Sequence, residues 1–105
     1  MEHLAVTIEI KEDFLTAYLS GELDHHTVKE IREAIDRDIV QSKPSQLVLD
    51  FRGVTFMDSS GIGLVMGRYK LMEEIGGTVL LTNLPSSLKK VMKLAGMDRL
   101  AQIKD

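Results

Sequence analysis

No cysteine occurs among the 105 residues. Disulfides and thiolate metal sites are therefore excluded, and a reducing compartment is expected. No apolar run approaches the roughly 18 residues of a membrane helix. The first residues, MEHLAVTIEIK, lack the basic stretch and long apolar segment of a signal peptide. A soluble, cytoplasmic domain without membrane contact is the expectation. Positive charge is also in short supply: 13 basic residues face 16 acidic ones, a formal net charge of −3. With no basic block and no aromatic-basic stripe, direct nucleic-acid binding is not expected. Repeats, low-complexity tracts and linkers are absent, and the only prolines, Pro44 and Pro85, fall at expected element boundaries.

What is present fits one globular α/β domain spanning residues 1–105, with 44% apolar and 28% charged residues. Leu4, Val6, Ile8 and Ile10 alternate with polar or small residues; Leu15, Ala17 and Leu19 then alternate with Phe14, Thr16 and Tyr18. Both are strand patterns, and the polar pair Glu12-Asp13 joins them into an antiparallel hairpin that Gly21 ends. In ELDHHTVKEIREAIDRDIVQS, the residues Val28, Ile31, Ile35 and Ile39 form one helical stripe. Asp24 is its N-cap, and the helix stops before Pro44. SQLVLDF reads as a strand buried on both faces, and RGVTFMD as a loop. A second helix is expected from about Ser60 to Ile75, with Val65, Met66, Tyr69, Met72 and Ile75 inward and Gly76-Gly77 as its stop. GTVLLTN is a fourth strand. Pro85 opens a third helix with Leu88, Val91, Met92 and Ala95 inward, closed by Gly96. The tail from Asp98 to Ile103 is an edge strand or a packed loop. Two parallel β-α-β units thus follow an antiparallel start, giving a small mixed sheet with helices packed on it.

Several chemistries can be weighed against these elements. Ser59, Ser60, His25, His26, Asp24 and Asp58 include every residue type of a Ser-His-Asp set. The GxSxG elbow is missing, however, because Met57 and Asp58 precede the serine. A phosphate loop fails on spacing: no GxxxxGK[ST] occurs, and after Gly61 and Gly63 the next glycine comes at 67, one place late for GxGxxG. Asp50 ends an apolar run as a phospho-acceptor aspartate would, but the first strand runs into a hairpin and lacks the acidic pair that would hold Mg²⁺. His3, His25 and His26 are scattered, and adjacent helical histidines point about 100° apart, so no metal site is expected.

The stretch VTFMDSSGIG, residues 54–63, remains. Two serines and two glycines stand where a helix begins, although glycine costs about 1 kcal/mol inside a helix. A helix N-terminus offers unpaired amides and the positive end of the dipole, so phosphate on Ser59 would be tolerated there. Gly61 and Gly63 would let a partner's backbone approach. The competing reading makes Ser59 and Ser60 ordinary caps, and these residues alone leave the two readings level.

Two segments together, SGELDHHT at 20–27 and FMDSSGIGLVMGRYK at 56–70, resemble the STAS-domain anti-sigma factor antagonists, above all those of sporulation. The apolar spacing and IGGTVLL extend the likeness over nearly the whole chain. The resemblance implies a STAS fold, a small mixed sheet of about four to five strands with three to four helices. It implies a regulatory binding module rather than an enzyme. The unphosphorylated antagonist would bind an anti-sigma factor that is also a serine kinase, freeing the sigma factor. Phosphorylation would end the complex, and a serine phosphatase would reset it. The acceptor is the first serine of DSSG, Ser59, and the acid of GELD, Asp24, belongs to the kinase-binding surface. Asp58, Ser60, Ile62, Gly61, Met57 and His25 complete that surface, with Glu22 nearby; Met57 and Ile62 are expected to be exposed. ATP or ADP and Mg²⁺ would sit in the kinase, and this chain would hold no cofactor. A stress-response switch with other partners is the alternative. If the second and third strands are parallel neighbours, the two motifs share one end of the sheet.

Overall fold

A computed structural model describes residues 5–104; Leu4 of the first expected strand and His3 lie outside the described residues. The elements follow as β1 (Val6–Lys11), β2 (Phe14–Leu23), α1 (His25–Ser42), β3 (Gln46–Met57), α2 (Ser59–Glu74), β4 (Thr78–Thr82), α3 (Ser86–Leu94), a 3-10 turn (Met97–Arg99) and β5 (Gln102–Lys104). The strands form one sheet in the order β1-β2-β3-β4-β5, with β1 antiparallel to β2 and the rest parallel. The mixed sheet with three helices is the expected α/β architecture, and the tail supplies its parallel edge strand.

One core unites the sheet and helices. Leu15, Ala17 and Leu19 of β2, Leu47, Leu49 and Phe51 of β3, and Val79 and Leu81 of β4 meet Ile31, Ile35 and Ile39 of α1, Leu64, Val65 and Met72 of α2, and Met92 of α3. The stripe foreseen on α1 is thus the buried one. All helices share one face of the sheet, so β3 is not buried on both faces. Val48 and Asp50 on its other side are half-exposed, and Phe14 and Tyr18 beside them are exposed.

Four local expectations fail for identifiable reasons. Gly21 does not end β2, and RGVTFM is strand rather than loop. The β2–β3 register slips twice, between Tyr18 and Ser20 and between Gly21 and Glu22. Bulges break the two-residue period on which a sequence reading depends. Gly53 allows this, since a Cβ there would lie 2.9 Å from the Leu19 carbonyl oxygen. The extra length carries β3 to Met57, opposite Leu23. On α2 the buried residues are Gly61, Leu64, Val65, Arg68 and Met72, whereas Met66 and Ile75 are exposed and Tyr69 is half-buried. The inner face is turned by about 50° because a charged residue, Arg68, occupies its middle. On α3 only Met92 is fully buried, and Val91 and Ala95 face solvent. The helix stops do hold: Gly76 and Gly96 both take φ of +79°.

Candidate functional site

Because β2 and β3 are parallel neighbours, the helices that follow them start at the same end of the sheet. The Asp58 amide donates to the Leu23 carbonyl at 3.1 Å, tying the two expected motifs together at the backbone.

Both α1 and α2 are capped by an aspartate. Asp24 Oδ1 accepts from the amides of His26 and Thr27, both at 3.0 Å. In return Thr27 Oγ1 accepts from the Asp24 amide at 3.1 Å, and it donates to the Glu22 carbonyl at 2.7 Å. This is a capping box with threonine at the third helical position. The Thr27 amide, and to a lesser degree that of His26, holds the Asp24 carboxyl below its usual pKa despite some opposing desolvation. Thr27 was missed in the sequence, although its spacing from Asp24 is the signal a capping box gives.

Asp58 caps α2, with Oδ1 accepting from the Ser60 amide at 2.8 Å. Neither serine caps the helix, which removes the competing reading of VTFMDSSGIG. Ser59, the first residue of α2, is exposed, and among the described residues its hydroxyl makes no hydrogen bond. Ser60 is half-buried and faces a groove between α1 and α2, across from His25. The His25 ring lies against that of His26, centroids 4.0 Å apart.

The two glycines of the motif have different roles. Gly61 is buried, and a Cβ there would overlap the Met57 side chain. Its missing side chain serves that packing and does not open the surface to a partner, which corrects the sequence expectation. Met57 is likewise half-buried against the core rather than exposed, and Ile62 is half-buried beside it. Gly63 has open space around it. The exposed residues of this end are therefore Ser59, His25, His26 and Glu22, with Asp24 and Asp58 partly covered.

Asp50 does not end its strand. Its carboxylate accepts from the Arg52 amide and from Asn83 Nδ2, each at 2.9 Å, which satisfies it structurally. Further along the α1–α2 contact, Arg68 Nε meets Asp36 Oδ1 at 2.8 Å, with the Arg68 side chain only 7% exposed. Burial pushes the Asp36 carboxyl up against the pull of Arg68, and pushes the Arg68 guanidinium down against the pull of Asp36. Desolvation therefore outweighs attraction on both sides of the pair. Nothing in the apolar spacing of α2 signals this arginine. No helix among the described residues is long and apolar enough to cross a membrane.

Comparisons with known proteins identify the family. The chain is 33% identical over 103 residues to the anti-sigma F factor antagonist of Paenibacillus polymyxa, covering 98% of this chain and 88% of the relative. It is 40% identical over 79 residues to that of Lysinibacillus sphaericus, covering 75% and 68%. An anti-sigma-B factor antagonist of Listeria monocytogenes is 28% identical over 104 residues, covering 95% and 90%. Among solved structures, SpoIIAA in its unphosphorylated form superposes with a TM-score of 0.78 at 33% identity, covering 96% of this chain and 88% of that one. The Bacillus SpoIIAA in its phosphorylated form gives 0.77 at 33% identity, covering 96% and 92%. The STAS domain profile matches residues 5–105, and the chain belongs to the STAS domain family.

Proposed function

We propose that this chain is an anti-sigma factor antagonist switched by phosphorylation of Ser59. Unphosphorylated, it binds an anti-sigma factor that is also a serine kinase loaded with ATP or ADP and Mg²⁺, and so releases the sporulation sigma factor. Phosphorylation ends that complex, and a serine phosphatase restores it. The observation that carries the reading is the exposed, unengaged Ser59 hydroxyl on the first turn of α2, beside the capped start of α1. Relatives named as anti-sigma F factor antagonists, and a 33% identical structure described in both unphosphorylated and phosphorylated forms, support it.

The physics of the switch follows from the site. The Ser59 hydroxyl makes no hydrogen bond among the described residues, and on this reading base, metal and phosphoryl donor come from the kinase. Asp24, His25, Asp58, Ser60 and Ile62 surround it as the contact surface, while Met57 and Gly61 shape the turn from beneath. Phosphorylation adds about −1.5 to −2 charges next to Asp58, opposite the partner's nucleotide phosphates. The helix dipole tolerates the group, but Asp58 already engages the Ser60 amide, so the phosphate projects outward. The deciding experiment is mass spectrometry after incubation with the kinase and ATP. Modification of Ser59 alone, dependent on the kinase, is expected; modification of Ser60 or none at all overturns the assignment. A second reading places the chain in a stress-response switch, on the strength of the anti-sigma-B relative at 28% identity. Affinity for both classes of anti-sigma factor separates the two.

A further inference from the structure

The α1–α2 groove carries charge that the switch does not use. From α1 it is lined by His25, Lys29 and Arg32, which are spaced four and three apart and so lie on one face of the helix. From α2 come the Ser60 hydroxyl and the floor of Arg68. Gly63 and Gly67 have open space where a Cβ would stand, and their bareness keeps the groove open at about 450 Å³.

Two independent observations mark it as a built site. Arg68 is 6% exposed, and beyond its contact with Asp36 its Nη1 has no hydrogen-bond partner among the described residues. Lys29 and Arg32 have no acidic partner at ion-pair distance among the described residues. Lys29 and Arg32 thus add two positive charges to a groove whose third cation, Arg68, is already paired with Asp36. Asp36 is the acid that faces this junction; it engages Arg68 directly, and its charge also acts on Arg32 at longer range. Lys29 and Arg32 lie about 4.5 Å apart along the helix axis at 1.5 Å per residue, and His25 to Arg32 spans about 10 Å. A single small ion would leave part of this row unanswered, and the volume falls in the range of sites that hold small organic ligands.

We infer that the groove between α1 and α2 is a binding site for a small molecule carrying two oxyanion groups, phosphate or carboxylate, held by Lys29, Arg32 and Arg68 with the Ser60 hydroxyl as a further donor. Its occupant lies against Ser60, one residue from Ser59, and brings negative charge to the end of the domain that the switch uses. The site does not depend on whether Ser59 is modified.

The test uses the full chain labelled with ¹⁵N and titrated with inorganic pyrophosphate or citrate, each against sodium chloride of matched ionic strength. Saturable shifts are expected at the amides of Lys29, Arg32, Ser60, Gly63 and Gly67, and the probe that saturates identifies the oxyanion. The double variant Lys29→Ala/Arg32→Ala, at two exposed positions, is expected to keep the spectrum of a folded domain and to bind at least tenfold more weakly. Shifts that only follow ionic strength, or binding unchanged in the double variant, overturn the proposal. A hexaglutamate peptide that saturates these amides when neither small anion does would make the groove a docking cleft for an acidic protein segment, and would overturn it too.

Discussion

Replacing Gly61 by alanine tests the packing that sets the turn at the start of α2. In most helices this exchange stabilises, by up to about 1 kcal/mol. Here the new Cβ would overlap Cγ and Sδ of Met57. That side chain is half-buried and packed against the core, so it has little freedom to retreat. Overpacking of this kind costs about 1–3 kcal/mol. The cost outweighs the gain in helix propensity, leaving a net loss of about 1 kcal/mol, or roughly 4–8 °C in Tm for a domain of this size. Gly63→Ala is the control two residues on, because open space surrounds that position; it is expected to stabilise by up to about 1 kcal/mol. Urea unfolding followed by far-UV circular dichroism gives both values at constant m. The Met57→Ala/Gly61→Ala double variant then isolates the contact: removing the methionine should relieve the clash, with a coupling of about 0.5–3 kcal/mol. If Gly61→Ala stabilises as much as Gly63→Ala, or if the double variant is additive, the account of Gly61 as a packing residue is wrong.

Other sites make separable predictions. Asp36→Asn leaves the buried Arg68 without its counter-charge and should destabilise by about 2–3 kcal/mol, while Asp36→Leu/Arg68→Met should recover most of that loss in urea unfolding. The Asp24 carboxyl has its pKa lowered by the cap hydrogen bonds, so its stabilisation is present above the unfolded value of about 3.9 and is lost as pH falls through the lower folded value. Asp24→Asn should therefore flatten the fall in urea midpoint below about pH 4, and an unchanged acid limb would exclude a role for the cap charge. Ser59→Asp should weaken binding to the kinase in a calorimetric titration, whereas Ser59→Ala should bind normally but fail to dissociate when ATP is added. ATP-driven release of Ser59→Ala would move the acceptor elsewhere.

Where each element repeats a single period, the sequence announces it. The stripe of α1 and the alternation in β1 and β2 are regular, and the cap at Asp24 follows from a short side chain placed before helical rhythm, whereas the cap of α2, for which the sequence offers its serines, falls on Asp58. Legibility fails where the period breaks. The two register slips hide the second half of β3, because Phe51 and the next buried residue, Val54, are three positions apart instead of two. Arg68 fails differently. A scale that treats arginine as a surface residue assigns the inner face of α2 to its apolar neighbours, and only the Asp36 partner on another helix explains the burial. The groove beside it shares that origin. Its cations sit on α1 and its glycines on α2, and no spacing within either segment reveals that they face each other.

The choice between adjacent serines shows how these layers combine. In the sequence Ser59 and Ser60 are chemically equivalent, and both follow the same acid. The fold separates them through Asp58, which as N-cap draws the Ser60 amide to its carboxylate at 2.8 Å and so fixes the first turn. Gly61 then passes beneath Met57, a contact that only a residue without a side chain permits. With the turn held at both points, Ser60 faces the α1–α2 groove and is half-covered, while Ser59 projects into solvent. Under the proposed function, an enzyme that brings a phosphoryl donor in line with a hydroxyl meets Ser59 directly in solvent, whereas Ser60 is reached only by way of the groove. The glycine that looks like a concession to the partner therefore acts one step earlier: it sets the turn that leaves Ser59 in solvent and turns Ser60 toward the groove.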